Sequence, residues 1–439
     1  MQHKTHLLLC FVSLLYLNTS WPSFPEFFGT SPRTSSLGGQ PNDEWDDPSN
    51  NYYAAALTAF SHKINVNLSY DSVKHDFLPI NGIVTKNSTN NAYGTNTGNI
   101  NTDYGEFRHS SVHLTLPIAY PGAGNIAISL FSPLGHLIET NTGHPTHPEY
   151  VMYHARYKRT ELFANYAHPI GNNFALSLGA FVGFQVRADM SAQASLNGVN
   201  FGSSSSAKAK VSPSLASLFS IAKKWQSATV FFAYQQEMTS NLDANIIGDT
   251  SDPPIPFDIG ATSIPYYDPH ILRLGYQQSL GPALKLHSML EYQLWGNYKT
   301  PVIRIIQRAN VKGSDNYENI KTQNILIPKL GLKYSWSDYL ALMAGVSYRP
   351  TPLKGDFSGA GNSIDTDVLT TSAGIDFKSR LLDKLFTFSG AFQWHQLKEK
   401  KVTKTSGQEN GSAGQKIGSP GYTVGGDVYM ASVGISTSF

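Results

Sequence analysis

The chain has 439 residues, and its 33 lysines and arginines nearly balance 31 aspartates and glutamates at a net charge of +2. That balance, with only 15% charged residues, excludes the clustered basic surface that a nucleic-acid partner requires, and a mean hydropathy of −0.24 excludes a bundle of membrane helices. A soluble chain of this length would divide into two or three domains, but one closed sheet can use it whole, and 23 Tyr with 23 Phe suit the interfacial girdles of a membrane barrel.

The N-terminus reads as a secretory signal. Lys4 supplies a short positive region, and Leu7 to Leu17 is an apolar core too short to span a bilayer, so residues 1–22 are expected to be removed. The one cysteine, Cys10, lies in that core, which argues against a disulfide-stapled secreted domain. Residues 23–60 lack strand alternation. A short helix is predicted near 49–58 after the Pro48/Ser49 start signal. Trp45, Tyr52, Tyr53, Leu57 and Phe60 need a surface to bury against, so this segment is read as a packed plug ahead of a barrel over 61–439.

From residue 62 the sequence alternates with period two. Segments are predicted near 62–76, 107–120, 124–134, 150–168, 173–190, 207–222, 227–238, 269–281, 284–300, 321–336, 339–350, 366–379, 384–400 and 423–439. The expected fold is therefore all-β, a transmembrane antiparallel β-barrel of about fourteen strands with a small N-terminal plug in its lumen. Links of a few residues, such as Ile170–Asn172 and Ser337–Asp338, alternate with long links rich in Asn, Gly, Ser and Thr. Tight turns at one end and long loops at the other are the arrangement of outer-membrane barrels.

Facing follows from cost. Leu284, Leu286, Leu290, Tyr292, Leu294 and Tyr298 alternate with Lys285, His287, Glu291, Gln293, Asn297 and Lys299. Leu330, Leu332, Tyr334 and Trp336 alternate with Lys329, Lys333 and Ser335. A charge on the lipid face costs ~2–4 kcal/mol at the bilayer midplane, so the charged faces are assigned to the lumen. Pro117 and Pro133 each remove a ladder donor, so the wall is expected to open there, beside Gly135; the same prolines read equally as bulges near strand ends. His136, His144 and His147 share one loop but have no fixed scaffold, so no metal site is assigned. Lys398–Lys401 and Lys404 are placed to meet anionic lipid head groups, lipopolysaccharide included, or to form a solvated rim. No phosphate loop, CxxC pair or nucleophile elbow appears, so neither enzymatic activity nor a cofactor is expected.

The last strand, Asp427 to Phe439, carries one apolar and one small face and ends on an aromatic residue. It resembles the closing strand of outer-membrane barrels, which implies that Phe439 is read by the barrel-assembly machinery. Further stretches are similar to the FadL/TodX family of outer-membrane hydrophobic-compound transporters. They are Ser36-Leu-Gly-Gly39 with Asp46-Asp-Pro-Ser-Asn-Asn-Tyr-Tyr53, Ser129-Leu-Phe-Ser-Pro-Leu-Gly135, Leu290-Glu-Tyr-Gln-Leu-Trp-Gly296, Lys329 to Asp338, Met343 to Pro352, and Asp365-Thr-Asp367. Where the family usually has Asn-Pro-Ala this chain has Ala54-Ala55-Ala56, and Gly296 replaces a serine.

The resemblance implies a fourteen-stranded barrel with an N-terminal hatch, taking up long-chain fatty acids or aromatic hydrocarbons and releasing them sideways at the third strand. For a fatty acid, the carboxylate needs a lumenal cation. Arg187 beside Asp189 is the first candidate, then Lys321, Lys285 and Lys329; each reads alternatively as a structural salt bridge. The expected function is passive uptake of hydrophobic small molecules across the outer membrane. The alternative is a surface-exposed receptor or adhesin barrel that carries no hydrophobic cargo.

Overall fold

The computed structural model describes residues 24–86, 96–120, 122–135, 148–154, 156–191, 206–249, 256–301, 304–307, 320–355, 363–381, 383–404 and 417–439. The leader 1–22 and His136, His144 and His147 lie outside these residues, as does the side chain of Arg187.

The alternating segments pair, each with the next, into a closed antiparallel barrel of fourteen strands. They are β1 Asn65–Phe77, β2 Glu106–Pro117, β3 Asn125–Pro133, β4 Glu161–Ile170, β5 Phe174–Ser191, β6 Ser206–Lys224, β7 Ala228–Gln235, β8 His270–Ser279, β9 Leu284–Leu294, β10 Ile325–Ser335, β11 Leu340–Arg349, β12 Val368–Leu381, β13 Lys384–Thr403 and β14 Gly421–Ser438. Met238–Asp249 and Pro256–Asp268 prolong β7 and β8 as an outer hairpin, and Arg304–Gln307 prolongs β9. Closure is made by β1 against β14, from Asn65–Ser438 to Phe77–Gly426. A closed ladder leaves no open edge, which is what lets a sheet stand in lipid.

Period two decides the two faces as the sequence predicts. On β10, Leu326, Leu330, Leu332 and Tyr334 are exposed on the outside while Ile325, Ile327, Lys329 and Lys333 are buried inside. On β9, Leu290 and Tyr292 point out, and His287, Met289, Glu291 and Gln293 point in. Together with Leu68, Tyr70, Val112, Leu130, Leu178, Leu274, Leu342, Phe392 and Val433, these outward side chains form an apolar belt that only a bilayer can cover.

Three sequence expectations shift. The strand predicted at 150–168 begins only at Glu161, because 151–154 turn inward after a short pairing of Glu149–Tyr150 with Ser363–Ile364. Tyr298, assigned to the lipid face, is instead buried against Tyr267 and Trp295, since β9 ends at Leu294 and the following turn folds over the mouth. Lys404, read as rim, is also buried.

Residues 24–60 lie inside the cylinder. The order is α1 Phe24–Phe28, α2 Pro32–Ser36, then a short 3-10 turn Pro48–Asn50, α3 Asn51–Ala54 and a second 3-10 turn Ala55–Thr58. Ser31 caps α2 in a reciprocal box with Thr34, and Pro32 occupies the first helical position, where its missing N–H is harmless. The helix predicted near 49–58 is thus a run of three tight turns. Wall glycines make room for the plug: a Cβ on Gly345 would sit 2.3 Å from the Gly38 nitrogen, and one on Gly374 would sit 2.4 Å from the Ser36 Cβ.

Candidate functional site

The lumen is divided by the plug into an aromatic outer chamber and a charged lower seat. In the outer chamber, α1 presents Phe24, Phe27 and Phe28, all buried, to rings carried by the wall and the outer loops. Phe24 stacks on His109 with ring centres 3.8 Å apart and lies 6.1 Å from Phe107. Phe28 meets Tyr157 edge-on at 5.4 Å and His395 at 5.1 Å. Phe27 lies 5.6 Å from Tyr153, between the guanidinium groups of Arg156 at 5.2 Å and Arg349 at 5.3 Å. Such aromatic and cation–π contacts favour flat or elongated apolar occupants with a negative ring face or tail.

The charged groups beside this chamber are paired. Arg156 holds Glu26 at 2.9 Å, Arg349 holds Asp365 at 2.8 and 3.0 Å, and Arg273 holds Glu291 at 2.9 Å. Arg159 bridges Glu161 and Asp268, 3.3 Å from the latter. Of these four guanidinium groups, Arg156 alone has its carboxylate partner on the plug.

The lower seat fastens the plug by charge. Arg33 reaches Glu44 at 2.7 Å, Asp47 at 2.9 Å and Asp376 of β12 at 2.8 Å. Lys333 reaches Glu44 at 2.9 Å and Asp43 at 3.2 Å, and Lys285 is also paired with Asp43. Burial opposes ionisation of Glu44, but Arg33 and Lys333 more than offset it and hold the carboxyl well below its usual range. Burial likewise works against Asp43, and Lys333, with His287 and Lys285, still lowers it. Wall side chains donate to plug carbonyls too: Lys329 to Gly39 at 2.9 Å, Gln393 to Ser35 at 2.8 Å, Ser372 to Ser36 at 2.9 Å and His113 to Thr30 at 2.7 Å.

Opposite this polar side the plug packs by shape. Tyr52 and Tyr53 are buried, with Tyr52 edge-on to Phe163 at 5.2 Å and below Arg273 at 4.5 Å. Leu57 joins the same apolar cluster with Phe131, Phe181 and Phe231. Trp45 packs tilted against Phe60, ring centres 4.8 Å apart, and lies 5.4 Å from the Lys224 ammonium. The gap beside Tyr53 and Arg273 measures about 10 Å³, room for at most one water. Below the plug the space is polar: a cavity of about 600 Å³ lined by Glu44, Asp46, Lys63, Lys378, Arg380 and Lys384.

The sequence candidates therefore divide. Lys285 and Lys329 are spent on holding the plug, Lys321 is exposed in the link before β10, and Arg187 lies on β5 opposite Lys210 by its backbone pairing. Pro117 and Pro133 are the final residues of β2 and β3; the ladder of β3 runs unbroken to β2 from Asn125 to Pro133 and to β4 from Asn125 to Phe131. Gly135 follows in a turn with a positive φ of 99°. Phe439 is 57% exposed at the barrel rim, its N–H on the Ile64 carbonyl at 2.9 Å. Sequence reading missed Arg156, Arg349 and α1 itself. The signal was Phe24-Pro-Glu-Phe-Phe28, three rings around one acid in a segment with no strand period.

No protein-family model matches the chain. Alkane uptake protein A of Marinobacter nauticus is 27% identical over 184 residues, a match spanning 41% of this chain and about 40% of that protein's length. A FadL homologue of Pseudomonas aeruginosa superposes with a TM-score of 0.64 at 16% identity, covering 96% of this chain and all of the other. The toluene transporters TbuX of Ralstonia pickettii and TodX of P. putida each superpose at 0.54, with 12% and 11% identity, over 94% of this chain and 99% of theirs. The shared fold, a plugged barrel with an apolar belt, belongs to the bacterial outer membrane.

Proposed function

Starting from a chain with the fold of the FadL and TodX outer-membrane transporters, we propose that it carries hydrophobic small molecules across the outer membrane, with the plug as its gate. The observation that carries this reading is the outer chamber, where Phe24, Phe27 and Phe28 occupy an aromatic cage and stand where an apolar cargo would sit. Cargo gains ~0.8 kcal/mol for each methylene it buries in such a cage, and α1 must withdraw to admit it. The match to an alkane uptake protein and the fold shared with two toluene transporters favour an alkane or a small aromatic hydrocarbon.

A fatty acid would fit the same cage if its carboxylate replaced Glu26 on Arg156. That exchange conserves charge, because Glu26 leaves with the plug as the acid arrives. Arg156 is thus the cation we assign to an acidic head group, ahead of Lys285 and Lys329, whose removal from the plug would cost its seat.

The test is uptake by cells with and without the chain, using radiolabelled hexadecane, toluene and oleate. Expected is at least a tenfold gain for one of the three, with no gain for a polar sugar. If none of the three rises above the vector control while the barrel is present and folded, the transport reading is wrong. Arg156→Gln should reduce oleate uptake and leave hexadecane untouched.

A further inference from the structure

Two lysines stand opposite each other on the outer rim, above β10 and β11. Thr322 pairs with Leu353 in an antiparallel bridge, and the bonds on either side fix the register. The Lys354 N–H donates to the Lys321 carbonyl at 2.9 Å, and the Gln323 N–H to the Pro352 carbonyl at 2.8 Å. The Gln323 side chain adds a third bond across the same gap, to the Thr351 carbonyl at 2.9 Å. Lys321 and Lys354 are therefore direct cross-strand partners, and the Cβ atoms of such a pair lie ~4.5–5.5 Å apart. Their neighbours Ile320 and Leu353 are buried in the apolar cluster of the chamber. Side chains alternate along each chain, so both lysines point the other way, out of the barrel, and both are exposed.

Like charges directly opposite each other work against the pairing that holds them. Among the described residues, neither ammonium has a carboxylate partner. Asp367, the acid on the adjoining chain, is already engaged by the Thr351 N–H at 3.0 Å, the Tyr348 hydroxyl at 2.8 Å and the Lys398 ammonium at 4.0 Å. Lys400 of β13 brings a third ammonium beside Lys354, on the Gly355 carbonyl at 2.9 Å. The rim thus holds a surplus of positive charge on a backbone that its own hydrogen bonds keep in place.

Below this surplus the lipid face is hollow. A groove of about 490 Å³ runs over β8 to β11, with Leu274, Leu290, Leu330 and Tyr348 on its lining. Two short outward side chains leave the room, Ser288 opposite Leu330 and Pro328 opposite Leu290. Lys354 follows Tyr348 by six residues, at most ~20 Å of chain, or ~15 Å of height at a strand tilt of ~40°. Half of a hydrocarbon core ~30 Å thick is the same ~15 Å, so a head group at the lysines puts its acyl chain at the depth of the groove.

We propose that Lys321 and Lys354 clasp a phosphate of a lipid A-type glycolipid in the outer leaflet, and that one of its acyl chains lies in the groove over β8 to β11. The two ammonium groups relieve their mutual repulsion by sharing one anion. The long links mark this end of the barrel as the outer one, where the anionic lipid is a phosphorylated glycolipid. An acyl chain joined to that phosphate covers the apolar groove, which a free phosphate ion would leave bare. The site depends on the barrel's place in the outer membrane and not on what the barrel carries.

The test uses the full-length barrel purified in detergent micelles, with bound lipid read by native mass spectrometry. Hexa-acylated lipid A with both phosphates should bind at least tenfold more tightly than the same lipid stripped of them. Lys321→Gln combined with Lys354→Gln should abolish that difference. Lys321→Arg combined with Lys354→Arg should keep it, and Lys398→Gln, at the rim outside the pair, should match the wild type. Ser288→Trp, which fills the groove, should weaken binding of intact lipid A at least fivefold while the folded band stays heat-modifiable. Equal binding of the two lipids, a preference that survives the paired glutamines, or unchanged binding by Ser288→Trp would each overturn the proposal. So would phosphatidylglycerol binding as tightly as lipid A, or displacement of lipid A by millimolar inorganic phosphate.

Discussion

Two parts of the wall carry prolines, and they behave differently. Around β3 the chain has Pro117 and Pro133, yet each ends its strand, and the ladder between them is continuous. Between β10 and β11 it has Pro328 within β10 and Pro350 and Pro352 just past the end of β11, and the paired register stops at Lys329–Ser347. A missing donor matters only where a neighbouring strand presents an acceptor to it. At a strand end the absent N–H would have met solvent or a turn, so nothing is lost there.

The plug sharpens the contrast, because its charged seat lies beside β9, β10 and β12 and keeps the lower part of the barrel shut. Arg33→Ala should have the largest effect. It strips Glu44, Asp47 and Asp376 of their shared cation, and breaking a buried pair on one side costs ~3–5 kcal/mol. The seat should then give way and polar solutes should leak, which conductance in planar bilayers would record; a silent bilayer would mean that the Tyr52–Leu57 side holds the plug alone. Gly345→Val comes next. Its new side chain would strike the Gly38 backbone, an overpacking cost of ~1–3 kcal/mol, read as a lower melting temperature and a partial leak.

Acid should act on the seat. Because the folded Glu44 carboxyl is held below its usual value, its contribution is complete above the unfolded value of ~4.3 and is lost as pH falls through the lower folded value. Conductance should therefore stay flat from pH 7 to pH 5 and rise only below about pH 4. A rise already at pH 6 would point to some other group. Hexadecane passage over the same upper range should not change, since the seat that Glu44 holds stays shut there. The smallest effect is expected at β3: Pro133→Val should alter stability by no more than ~0.5 kcal/mol, and a larger loss would show that the two walls are alike after all.

Much of this could be read before any coordinates. Fourteen strands, the charged faces turned inward and the tight turns at one end all follow from period two and from the cost of a charge in lipid. Tyr52 and Tyr53 were legible as buried, and Trp45 and Phe60 as partly covered, because large rings need cover. Lys285 and Lys329 were legible as lumenal, but not as tethers, since their partners Asp43 and Gly39 lie more than 200 positions away in sequence. Arg156 was misplaced with the strand predicted at 150–168, and with it the only guanidinium of the outer four whose acid belongs to the plug.

The alternation of greasy and polar side chains determined the barrel, its facing and its membrane, because that pattern is local and repeats every two residues. Which proline lies where a paired register stops was settled only by tertiary structure. Pro133 and Pro328 look alike in the sequence, and the difference is the direction in which a missing hydrogen would have pointed, a matter of register between strands that the chain order alone does not contain.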